Sequence, residues 1–160
     1  MNKKICIIAS NFYPKITKML IKGANDELVK KGYKKIKIII VPGTFEIPVI
    51  VSNLIKKYHA FIVLGCVIKG QTSHYDYLCT SIFNSLTNLS IKSKKPIGNG
   101  ILTCDNLKQA LARANNKTIN KGGQAASAAI SVLKIIKWLK RIKFCLTLEL
   151  LQFKSFIAII

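Results

Sequence analysis

Short apolar runs rich in β-branched residues alternate along the chain with stretches of helical spacing. Ile5-Cys6-Ile7-Ile8-Ala9 is apolar throughout, as expected for a strand covered on both faces. From Ile16 the positions Ile16, Met19, Leu20, Gly23, Ala24 and Leu28 recur at helical spacing and stop at Lys31-Gly32, a glycine stop. Residues 36–41 repeat the strand pattern. Residues 45–57 read as a helix with Pro48 in its first turn, where proline is tolerated. Residues 61–67 are a third strand. Tyr75, Leu78, Cys79, Ile82, Phe83, Leu86 and Leu89 define a long amphipathic helix. Residues 97–103 form a fourth strand carrying Gly98 and Gly100, which mark close approach of a ligand or another backbone. Asp105 is the expected cap of a helix with apolar positions Leu107, Ala110, Leu111 and Ala114. Residues 124–138 are an alanine-rich helix.

This alternation implies right-handed βαβ units, a parallel sheet and helices on both faces. Ligands of such folds sit beyond the carboxyl ends of the strands. The polar or glycine-bearing segments 10–14, 42–46, 69–74 and 103–105 all fall there. The richest is the stretch from Gly65 to Asp76. There an apolar strand runs through Gly70-Gln71-Thr72-Ser73 into His74 and a helix start. Free first-turn amides and the positive end of the helix dipole suit an anion at such a point. His74 stands beside it with a side chain able to move protons near neutral pH.

Composition narrows the picture. At 160 residues the chain makes one domain with its own core, and half of it is apolar. The formal charge of +20, from 26 basic and 6 acidic residues, raises a nucleic-acid or membrane partner. The lysines are scattered, however, and arginine occurs only at Arg113 and Arg141, although arginine is the better bidentate reader of phosphate and base. Solvated lysine faces are the simpler explanation. Five cysteines without CxxC spacing read as reduced thiols in a cytoplasmic protein, and two histidines make a zinc site improbable. Lys3-Lys4 precedes only five apolar residues, which read as a strand and not a signal peptide. No run approaches the roughly 20 apolar residues of a membrane span.

The chain divides into residues 1–137 and a tail, 138–160, that alternates basic with bulky apolar residues and finishes Phe156-Ile157-Ala158-Ile159-Ile160. The tail can pack as a further helix or strand, meet a partner or membrane surface, or be sequence acquired past the functional domain.

Taken together, the motifs resemble the 6,7-dimethyl-8-ribityllumazine synthase family over residues 4–137. The resemblance rests on Ile16-Thr17 with Gly23-Ala24, on Val41-Pro42-Gly43-Thr44-Phe45-Glu46-Ile47-Pro48, and on residues 64–76. It rests also on Gly100-Ile101-Leu102-Thr103, and on Arg113 with Asn120-Lys121-Gly122. The fold expected is α/β: a three-layer αβα sandwich around a four-stranded, mainly parallel, flavodoxin-like sheet. The resemblance implies condensation of 5-amino-6-(D-ribitylamino)uracil with 3,4-dihydroxy-2-butanone 4-phosphate, without cofactor or metal. A Schiff base forms, phosphate is eliminated, the ring closes and water leaves.

The resemblance also assigns roles. Arg113 holds the phosphate with the amides of Gln71 and Thr72 and the Thr72 hydroxyl, His74 transfers protons, and Lys121 is a second cation. Phe12 is a platform for the pyrimidine, backbone groups at Val67 and Ile68 read its edge, and Thr44, Phe45 and Glu46 hold the ribityl chain. Asn99 replaces a frequent phenylalanine that covers the pyrimidine, and Tyr13 replaces a frequent asparagine. Arg113, Lys121 and Asn99 are expected across a subunit boundary, in a homopentamer or an icosahedral assembly of pentamers. No nucleic acid and no stable membrane insertion are expected. The competing readings are a non-catalytic flavin- or lumazine-binding module of the same fold, a basic RNA-binding protein, and a membrane-associated protein.

Overall fold

A computed structural model describes residues 3–157, with residues 143 and 145–157 described by backbone alone. The chain runs β1 (Lys4–Ser10), α1 (Pro14–Lys30), β2 (Lys35–Val41), α2 (Ile47–Leu54), β3 (Ala60–Ile68), α3 (His74–Ser93), β4 (Ile97–Cys104), α4 (Leu107–Ala114) and α5 (Lys121–Ile157). All pairings are parallel, in the order β2-β1-β3-β4. The fold is thus the expected three-layer α/β sandwich.

Side-chain alternation along β1 sets the layers. Ile5, Ile7 and Ala9 face α1, α4 and α5 in a core with Leu20, Ala24, Ala126 and Ala129. Cys6 and Ile8 face α2 and α3 in a second core with Ile47, Val51, Phe61 and Ile82. Both faces of β1 and β3 are covered, which is why their sequences are continuous apolar runs.

The glycines explain two close approaches. A Cβ on Gly98 would run into the carbonyl of Ala125, and one on Gly100 would come within 3.1 Å of the Ala125 Cβ. The neighbour that β4 makes room for is therefore the backbone of α5. The stop of α1 at Gly32 is a Schellman motif: Gly32 N–H donates to Val29 O and Tyr33 N–H to Leu28 O, with Gly32 at φ +80°.

Three expectations need correction. Asn106, not Asp105, caps α4, its side chain accepting from the Gln109 amide at 3.0 Å. Asp105 instead accepts from the Gln109 side-chain amide at 3.1 Å. The helix after β2 begins at Ile47, because Thr44 to Glu46 form a turn in which Ile47 N–H donates to Thr44 O. The last helix begins at Lys121 and continues unbroken past Trp138 to Ile157. Residues 158–160 of the tail lie outside the described residues. No described helix is long and apolar enough to cross a membrane.

Candidate active site

A cavity of about 650 Å³ opens at the carboxyl edge of the sheet. Three strands deliver its walls. Phe12 and Tyr13 follow β1, Gly43 to Glu46 follow β2, and Cys66, Val67 and Ile68 end β3. Helix α3 supplies His74, Tyr77, Leu78 and Ser81.

Strand register creates the opening. β1 pairs with β3 only as far as Leu64, whereas β4 pairs with β3 as far as Ile68. The last residues of β3 therefore project past β1, and their β1-facing edge has no strand beside it. Backbone N–H and C=O groups on that edge have no strand partner among the described residues.

The loop after β1 is held from below. Buried Thr17 places its hydroxyl 2.5 Å from Ser10 O and 3.0 Å from Tyr13 O, and Asn11 N–H donates to Val41 O. Phe12 is left 68% exposed, edge-on to Tyr13 with ring centroids 5.0 Å apart. A large apolar ring so exposed at a cavity wall is a stacking surface waiting for an occupant. In the loop after β2, Gly43 N–H donates to Glu46 Oε2 at 2.9 Å. This fixes one carboxylate oxygen of a residue that lines the cavity. Thr44 is buried against Gly65, where a Cβ would meet Thr44 Cγ2 at 2.5 Å.

His74 opens α3, and its amide approaches Thr72 Oγ1 at 3.4 Å. Ser73, at the N-cap position, makes no side-chain cap. Among the described residues the amides of Gln71 and Thr72 have no protein acceptor, and no atom lies within 4 Å of a Cβ placed on Gly70. Open space, unpaired donors and the positive end of a 20-residue helix coincide beside the imidazole.

Cys66 belongs to the wall and not to the chemistry. Burial, with Cys104 beside it, pushes its thiol up to about 12, far from a thiolate nucleophile at neutral pH. Among the described residues no three His, Cys, Asp or Glu side chains are grouped to hold a metal ion.

Of the predicted site residues, the structure brings Phe12, Thr44, Phe45, Glu46, Val67, Ile68 and His74 into one cavity, with Gln71 and Thr72 on the turn at its edge. Arg113, Lys121 and Asn99 of the same chain are not among its walls. Arg113 lies in the last turn of α4, its Nη1 donating to Gln109 O at 3.4 Å. Lys121 opens α5 and donates to Gln124 Oε1 at 2.9 Å. Asn99 lies on the outer strand β4, accepting from Ile101 N–H at 3.0 Å, beside a separate hollow with Phe83 and Ile91. The Asn120 and Gly122 that flank Lys121 have structural work of their own. Asn120, at φ 51°, accepts from Gly123 N–H, and a Cβ on Gly122 would collide with Leu20 O of α1.

Tyr77, Leu78 and Ser81 also line the cavity; the sequence pattern marks Leu78 only as an apolar helix position and does not mark Tyr77 or Ser81. They follow His74 by three, four and seven residues, which places all four on one helix face, and that was the available signal.

An exposed aromatic ring, an anchored carboxylate, unpaired β3 backbone and unpaired amides at a helix start come together at the carboxyl edge of this α/β sheet. Residues 2–137 match the family model for 6,7-dimethyl-8-ribityllumazine synthase. The chain belongs to that family, whose members are oligomeric enzymes of riboflavin biosynthesis acting on small molecules.

Proposed function

We propose that the protein condenses 5-amino-6-(D-ribitylamino)uracil with 3,4-dihydroxy-2-butanone 4-phosphate to 6,7-dimethyl-8-ribityllumazine, releasing phosphate and water. The observation that carries this reading is the convergence in one cavity of Phe12, Glu46, the free edge of Val67 and Ile68, and His74 beside unpaired amides. The pyrimidine stacks on Phe12 and hydrogen-bonds to the β3 backbone. The ribityl hydroxyls, which need partners once desolvated, reach Glu46 and the backbone at Thr44 and Phe45. The phosphate sits on the amides of Gln71 and Thr72.

His74 then shuttles protons in two steps. It assists loss of water as the amine and ketone form the imine. It next removes the proton whose loss drives phosphate out. Departing phosphate needs cations, and Arg113 and Lys121 supply them. Because one chain does not place them at the cavity, a neighbouring subunit contributes them, together with Asn99 over the pyrimidine. A homopentamer, alone or assembled further into an icosahedral shell, meets this requirement.

The catalytic unit is residues 1–137, and residues 138–160 are an appendage carried on α5. The end of the family match at residue 137 supports this division. Free thiols at Cys6, Cys66, Cys79 and Cys104 suit the reducing cytoplasm. The test is whether purified protein, given both substrates and nothing else, makes the fluorescent lumazine. His74→Ala should slow it on the order of tenfold to a thousandfold, the span of one acid–base group. Tight lumazine binding without turnover would contradict the proposal.

A further inference from the structure

A second cavity, of about 590 Å³, lies at the opposite, amino edge of the sheet, between α5 and the loops entering β1 and β4. Its lining includes Lys3, Lys94, Lys95, Lys134, Lys137 and Lys140, together with His59 and Tyr33, and among the described residues no acidic one. Lys95 has structural partners: its ammonium donates to Ile55 O and to Tyr58 O, the latter at 2.6 Å. The other five lysine side chains make no ion pair or hydrogen bond among the described residues.

The orientation of α5 is the unexpected part. A helix leaving a domain normally turns its charges to water and its apolar side inward. Here Lys134, Lys137 and Lys140 are exposed yet line one hollow together with Leu133 and Ile136, while Ile135, Trp138 and Leu139 are also more than half exposed. Packing does not demand this, since α5 already docks upstream through Ala125, Ala126, Ala129 and Ile130. Like charges gathered round one concavity repel unless an anion sits among them. Neighbouring groups register that field. His59 is held below its ordinary value by burial and then by Lys3, and Lys95 by burial and then by Lys140.

We propose that this cavity is a binding site for a small polyanion of the di- or triphosphate class, bridging α5 to the amino edge of the sheet. Multiple adjoining phosphate oxygens match several ammonium groups on different elements. A single open hollow with lysines on several elements fits such a molecule better than the extended basic stripe that tracks a nucleic-acid backbone. The site is separate from the carboxyl-edge cavity and does not depend on the reaction assigned there.

Inorganic tripolyphosphate is the probe, titrated calorimetrically into the full chain at about 0.15 M salt, where surface charges are largely screened. His59 and His74 are the two histidines, so histidine NMR reads this cavity through His59 and the other through His74. Binding should raise the His59 titration midpoint, and K134Q/K137Q/K140Q should weaken affinity at least about tenfold. K18Q/K108Q/K117Q, an equal loss of charge elsewhere, should leave the His59 response intact. The proposal is overturned if tripolyphosphate does not bind, if both triple variants lose affinity equally, or if the His59 midpoint stays fixed. Binding of an RNA oligonucleotide but not of tripolyphosphate overturns it as well.

Discussion

The amide of Gly43 holds Glu46 Oε2 at 2.9 Å, so the carboxylate is pinned by its own loop before any substrate arrives. Pre-positioning of this kind lowers the ordering cost of recognising a flexible hydroxylated chain. Glu46→Ala should therefore raise KM for the ribityl pyrimidine about tenfold, the worth of a charge-assisted hydrogen bond. KM for the butanone phosphate should hardly change. Steady-state kinetics with each substrate varied in turn separates the two.

Gly65 makes room for the Thr44 methyl group and for Ser10. Gly65→Ala forces Thr44 outward, and overpacking of this sort costs about 1–3 kcal/mol. The expected result is a lower Tm together with weaker pyrimidine binding, because the displaced loop carries Glu46. A variant with unchanged Tm and KM would show that the loop relaxes freely.

His59 accepts the Lys4 amide through Nδ1 at 3.1 Å and is held below its ordinary value of 6.5, mainly by burial and then by Lys3. Between its folded value and 6.5, the unfolded chain binds more protons than the folded one. Stability from this group is thus complete above 6.5 and declines as pH falls below it. His59→Gln keeps an acceptor but does not titrate, and it should flatten Tm against pH across that window.

Asn99 lies exposed on β4 with its side chain turned back on the Ile101 amide. If a neighbour's Asn99 covers the pyrimidine, it offers little apolar contact. Asn99→Phe should lower KM for the pyrimidine by a few-fold, in line with an added stacking contact of about 0.5–1.5 kcal/mol. An unchanged KM would remove Asn99 from the site.

How much of this was legible in the sequence follows from the physics of each part. The apolar runs at Ile5–Ala9 and around Phe61–Leu64 had to be buried parallel strands, and the glycine at Gly32 had to end α1. The anion-ready turn before His74 could also be read, because strand, small polar residues and helix start are all local signals. What could not be read was set by contacts distant in sequence. The choice of Asn106 over Asp105 as cap depends on backbone angles at the end of β4. The glycines of β4 pointed to a close neighbour without naming α5. Tyr77 and Ser81 share a helix face with His74, but nothing local says that this face meets the cavity. The gathering of Lys3, Lys94 and Lys134 at one hollow was likewise invisible in a chain whose lysines look evenly scattered.

The central claim is that His74 of one subunit works with Arg113 of another, and subunit mixing tests it most directly. His74→Ala and Arg113→Ala proteins, each impaired alone, are unfolded together, refolded in equal amounts and assayed for lumazine formation. Random assembly leaves about a quarter of the sites with both native residues, so about a quarter of native activity should return. Activity no higher than the average of the two separate variants would contradict the account.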